Sequence, residues 1–100
     1  MSNYKLVFLA KANIDVAKAY KYYGEIGENL INKFDADLEK TIERIKNNPK
    51  HFRKVKRENR QLLMDIFSYV IVYRIEIETI LITRVFHTSR NPKYKYLQNK

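Results

Sequence analysis

The sequence predicts an α+β domain, a helical hairpin packed on one face of a small antiparallel sheet in the order β-α-α-β-β-β. Three observations carry this expectation. Leu30, Phe34, Leu38, Ile42 and Ile45 recur at intervals of four, four, four and three, the spacing of one helix face. "QLLMDIF", "YVIVYRIE" and "TILITRVFH" follow one another, the last two rich in β-branched and aromatic residues, and the joints at Phe67-Ser68 and Glu76-Ile77-Glu78 are short enough only for antiparallel hairpins. The only two glycines, Gly24 and Gly27, stand just before the helical stripe, where a turn between two helices belongs.

Taken in order, "YKLVFLA" begins with alternation and carries β-formers, which predicts a strand over Tyr4–Leu9 that joins the sheet. From Asn13 the pattern turns helical. Val16, Tyr20 and Tyr23 share a stripe with Ala19, Ile14 and Ala17 lie off it, and Asn13 or Asp15 can serve the N-terminal end. The second helix carries acids early and mid-helix and Arg44 and Lys46 late, which suits its dipole, and "NNP" at 47–49 stops it. A basic linker leads to the three strands, with Leu62, Met64 and Ile66 expected on one face. Periodicity alone leaves open whether the later strands are buried on one face or both. A helical hairpin with one stripe per helix covers one sheet face, so the other is expected to be exposed or covered by a partner.

One hundred residues make one domain with a modest core. Without cysteine there is no disulfide or cysteine–zinc framework, in keeping with a reducing, cytoplasmic setting. The start has no secretory pattern, and the longest apolar runs fall well short of a membrane span, so no membrane role is expected. The net charge of +9 is unevenly placed. The stretches 50–60 and 84–100 hold eleven Lys/Arg against one Glu, a net +10, leaving the other 72 residues at −1. Brought together, these stretches would form an anion-attracting surface; apart, they are a solubilising one.

Several chemistries are poorly served. Ser89 lies two residues from His87, but no nucleophile elbow or third triad member accompanies them. His51 and His87 lack metal-ligand spacing, so neither metal nor cofactor is expected, and no glycine-rich loop cradles a phosphate.

Several short patterns in fixed order resemble the RelE/ParE superfamily of bacterial type II toxins, more closely on the ParE side. They are Ala12-Asn13-Ile14-Asp15 after the first strand, "NNP" closing the second helix, Arg60 before a strand, Phe67-Ser68-Tyr69 leading into "VIVYRIE", and His87, Arg90 and Pro92 ending the last strand. The resemblance spans nearly the whole chain. It implies a RelE/ParE-like fold and a growth-inhibiting toxin, of the kind linked to plasmid stabilization, neutralised by a cognate antitoxin in a hetero-oligomer. ParE-like members inhibit DNA gyrase, the leading expectation here. RelE-like members cut mRNA in the ribosomal A site. A non-toxic basic nucleic-acid-binding module is the third reading.

Metal-independent RNA cleavage needs a base, an acid and cations around the phosphate. His87 can supply acid or base, with Arg90 beside it, and Lys54, Arg57, Arg60, Arg84 and Arg90 can hold phosphate or another target. The bland alternatives are that His87 caps the last strand and that Arg90 pairs with an acid such as Asp65. Strict alternation places Arg84 with Ile80 and Ile82, and His87 with Leu81 and Val85 on the other face, unless a bulge intervenes. Nuclease members similar to this chain carry an arginine before the apolar run of the middle strand; here that residue is Val70, with Arg74 four residues on as a displaced substitute. Tyr20, Tyr22 and Tyr23 are candidates for antitoxin contact, Tyr22 pointing away from the stripe, and Tyr94 and Tyr96 pose the same question in the tail.

Overall fold

The computed structural model describes residues 4–89. The order is β1 (Lys5–Phe8), α1 (Ala10–Ile26), α2 (Glu28–Asn47), β2 (Lys54–Lys56), β3 (Asn59–Leu63), β4 (Tyr69–Glu76) and β5 (Thr79–His87). The sheet has five strands in the order β1-β5-β4-β3-β2. β1 lies parallel to β5, with Lys5 opposite Thr79 and Phe8 opposite Ile82, and every other pairing is antiparallel. The expected antiparallel sheet is therefore mixed. The helical hairpin and the meander together make the long connection that a parallel pairing needs.

Two elements depart from the sequence reading. α1 begins at Ala10, directly out of β1, with Leu9 as an N-cap that offers no side-chain hydrogen bond. Neither Asn13 nor Asp15 caps it. The expected basic linker contains β2, whose one apolar side chain, Val55, is 1% exposed. The break between the helices is a single extended residue, Gly27, while Gly24 lies within α1, where an added Cβ would stand 3.0 Å from Ile31 Cδ1.

The core fills the space between the hairpin and one sheet face. Ala12 and Ala19 of α1 and Phe34, Leu38 and Ile45 of α2 pack on Tyr69, Ile71, Tyr73, Ile80, Ile82 and Val85, with Leu6, Phe8, Val16, Tyr20 and Tyr23 at the margins. Phe34 is its aromatic hub, with the rings of Tyr20, Tyr23, Phe67 and Tyr69 centred within 5.8 Å. Met64 and Leu62 join this core, whereas Ile66, expected beside them, lies beyond the end of β3 and is 73% exposed. β4 is buried on both faces: all of Tyr69–Tyr73 is buried, and Val70 and Val72 form a second cluster with Phe86 on the side away from the helices. Continuous burial explains the continuous apolar run. The rest of that far face is more open, with Val7 and Leu63 exposed.

One irregularity resets the last strand. Val72 pairs with Arg84 but Tyr73 pairs with Ile82, so Thr83 is an extra residue, a β-bulge. The Thr83 hydroxyl donates to the Val72 carbonyl at 3.1 Å and bridges the disturbed ladder. Beyond the bulge the alternation is inverted: Val85 and His87 share the helix-facing side with Ile80 and Ile82, while Arg84 and Phe86 take the opposite side with Val72 and Val70. The sequence expectation had Arg84 beside Ile80 and Ile82, and His87 apart from them. One inserted residue overturns both placements.

Candidate functional site

β5 outruns its neighbour. β1 ends at Phe8, paired with Ile82, so among the described residues the end of β5 has no strand on that side. A side chain takes the place of the missing strand. Asp15, from α1, accepts the Val85 N–H at 2.8 Å and grips Arg84 in a two-point pair, Nε to Oδ2 at 2.7 Å and Nη2 to Oδ1 at 3.0 Å. The side chains are only 23% and 10% exposed, so this is a largely desolvated clamp. The Arg84 guanidinium also lies 4.3 Å from the centre of the Phe86 ring.

This clamp forms the floor of a cleft of about 300 Å³ between α1 and the end of β5, lined also by Lys18, Ala19, Tyr22, Tyr69 and His87. Arg84 and His87 leave opposite faces of the strand, yet both reach this cleft because Arg84 turns to Asp15 at the uncovered edge. His87 Nδ1 accepts the Ser89 N–H at 3.1 Å, which leaves the neutral ring's proton on Nε2. Its ring stands edge-on to Tyr69, 5.1 Å between centres. Thr88 N–H donates to the Ser68 carbonyl at 2.8 Å, so His87 sits where backbone bonds fix the strand end. Chemically the cleft offers one imidazole, two phenols, one lysine and a neutralised arginine.

The second basic region is the β2–β3 hairpin. Lys50, Arg53, Lys54 and Arg57 are exposed there. Lys54 meets Glu58 at 3.2 Å, and Arg57 takes a positive φ of 56° in the turn. Arg60 faces inward, donating to the carbonyls of Lys50 at 3.0 Å and Phe52 at 2.7 Å. Beside it the Tyr73 hydroxyl donates to the Pro49 carbonyl at 2.6 Å. Arg60 and Tyr73 are register partners, and together they tie the loop after α2 onto the sheet. Burial pushes the Tyr73 phenol up to about 12, against the opposing pull of Arg60. Arg74, the displaced substitute, pairs with Glu76 at 2.8 Å, and Val70, where a nuclease arginine is expected, is 1% exposed.

These groups do not converge. Arg60 pairs with Tyr73 on one side of β4, and His87 pairs with Tyr69 on the other. Four residues along a strand and two strand spacings across put their Cα atoms roughly 16 Å apart, too far to clamp one phosphate. Arg90, Pro92, Tyr94 and Tyr96 lie outside the described residues. Asp65, suggested as a partner for Arg90, pairs with Arg44 at 3.3 Å.

On α1 the tyrosines separate as their spacing implies. Tyr20 and Tyr23 pack against the core, and Tyr22, 47% exposed, lines the cleft. The Tyr20 hydroxyl donates to Asp35, and burial, with that carboxylate, raises its pKa to about 12. Sequence reasoning passed over Lys18 and Tyr69 as cleft residues and Asp15 as the clamp. The one signal for Asp15 was its place in the A-x-x-D pattern.

This arrangement, a helical hairpin on a mixed sheet ending in a clamped basic strand, defines the class: a RelE/ParE-type toxin, on its ParE side. The family model described as ParE toxin of type II toxin-antitoxin system, parDE, matches residues 6–92, and the chain belongs to that family. Among solved structures it is similar to one titled "Chromosomal ParDE TA system from P. aeruginosa", with a TM-score of 0.73 and 20% identity, covering 84% of this chain and 95% of that one. No curated protein matches the sequence.

Proposed function

We propose that this protein acts in the cytoplasm as the toxin of a two-component pair, held inactive by a co-encoded antitoxin, and that it inhibits DNA gyrase rather than cutting mRNA. The family supports the pair. The engagement of the candidate phosphate holders supports the target: Arg84 is closed onto Asp15, Arg60 onto backbone carbonyls and Arg74 onto Glu76, and a buried Val70 replaces the nuclease arginine. A catalytic arginine must be free to meet charge that develops on the phosphate. Tyr22 is the antitoxin contact we favour on α1, with Tyr20 and Tyr23 shaping the surface from below. A chain of net charge +9 selects an acidic antitoxin segment.

A second reading, ribosome-dependent mRNA cleavage, draws on one observation, the meeting of His87, Lys18, Arg84 and two tyrosines in the cleft. Induction in growing cells separates the two. The gyrase reading requires growth arrest with intact transcripts, and loss of supercoiling when purified protein is added to purified gyrase. New mRNA 5′ ends appearing during translation, with supercoiling untouched, would overturn it.

A further inference from the structure

Among the described residues other than glycine, two take a positive φ, and they stand at the same end of the sheet. Arg57 has a φ of 56° and Ile77 a φ of 59°. Each opens a two-residue hairpin turn, one closed by Lys56 paired with Asn59, the other by Glu76 paired with Thr79. Glycine is favoured at that position, because a side chain there crowds its own backbone, a β-branched one most of all. The fold gains no packing in return. Ile77 is 94% exposed, and Arg57 is exposed with no ion-pair or hydrogen-bond partner among the described residues. Strain kept at a turn whose side chain packs against nothing points to a use outside the fold.

The two turns lie two strand spacings apart, roughly 10 Å, so one partner can span both. They occupy the end of the sheet away from the cleft. Along the β4–β5 ladder, the pair Tyr69–His87 stands seven residues from the pair Glu76–Thr79, on the order of 23 Å. Chemistry narrows the partner. Ile77 needs an apolar socket. Arg57 needs an acceptor, and its neighbour Glu58 is drawn to Lys54 at 3.2 Å instead. A phosphate backbone would satisfy Arg57, but it would meet Glu76 and Glu78 beside Ile77 and leave that side chain in water. A small molecule does not bridge two exposed side chains so far apart. A folded protein surface with an apolar socket and a carboxylate beside it satisfies both.

We propose that this end of the sheet is where the toxin grips its target protein, with Ile77 as an apolar knob and Arg57 as its charged companion. The proposal rests on the toxin reading, not on which protein is the target. Arg57→Asn and Ile77→Asn test it, since asparagine accepts a positive φ but brings neither the charge nor the apolar surface. Ile26→Asn, at a residue 60% exposed at the end of α1, is the control. Each chain is produced from a graded inducer, with soluble protein measured beside growth, and is titrated against purified gyrase. The unaltered chain and Ile26→Asn are expected to arrest growth at the same protein level. Arg57→Asn and Ile77→Asn should need about tenfold more protein or more, while their urea midpoints rise. A purely structural role would not lose action as stability rises. Undiminished arrest by the two turn variants would overturn the proposal, as would lowered midpoints or an equal loss in Ile26→Asn. An unaltered chain that leaves growth untouched would sink the toxin reading and this proposal with it. Arrest without inhibition of gyrase would remove that target alone, and the growth comparison would still decide.

Discussion

Asp15 does the work of a missing strand. Its carboxylate supplies the acceptor that a neighbouring backbone would offer Val85, and neutralises Arg84 in the same grip. Asp15→Ala leaves a backbone donor unmatched and an arginine unpaired in a largely desolvated place. It is expected to lower stability by about 2 kcal/mol, read from the urea midpoint. Two phenols make stability sensitive to alkali. Tyr20 and Tyr73 ionise near 12 in the folded chain against an ordinary value of 10. Raised values mean that the folded state resists losing these protons. Their contribution is therefore complete below pH 10 and is lost as pH rises from 10 through about 12. Denaturation curves between pH 8 and 11.5 should show this decline. Tyr73→Phe should flatten it, while costing about 1 kcal/mol at neutral pH for the lost bond to Pro49.

At the scale of elements, what could be read from the sequence follows from how many residues carry each signal. α2 was plain because five apolar residues repeat its period, and β4 because its whole run is apolar. β2 was hidden because three residues with one valine carry almost no pattern. The start of α1 was misplaced because its N-cap, Leu9, is a strand residue in composition, with its N–H donated to Ile82. The bulge at Thr83 has no local signature, since it depends on what β4 places opposite. It decided where Arg84 and His87 stand, so the fold was more legible than the site. The β4–β5 turn breaks a local rule. Ile77 takes a φ of 59° while 94% exposed, in a two-residue turn where glycine is favoured. Ile77→Gly is expected to raise stability by about 1 kcal/mol in thermal or urea unfolding without moving the core.

At the scale of the molecule, the exposed basic hairpin and the cleft lie apart. The β2–β3 hairpin gathers exposed cations at one side of the sheet, while the cleft beneath α1 has its arginine neutralised. On the proposed reading, long-range attraction falls to the hairpin and close contact to the cleft. Association with an acidic antitoxin segment is expected to slow steeply between 50 and about 300 mM salt, with much less change in the dissociation rate. Stopped-flow or surface-binding kinetics would show it. Replacing Lys54 and Arg57 by glutamine should flatten that salt dependence, whereas Tyr22→Ala should speed dissociation.

The parallel pairing of β1 with β5 also has a consequence for synthesis. β1 leaves the ribosome well before β5 and is stranded until β5 follows it, because Lys5 finds Thr79 and Asp15 finds Arg84 only about seventy residues later. Helices α1 and α2 can form early, but the apolar side chains of β1 have no sheet to join. The cleft is built by α1 together with β4 and β5, and so cannot exist before β5 is made. A nascent copy released before β5 would carry an unpaired strand and no clamp, a species for chaperones and proteases rather than one able to act.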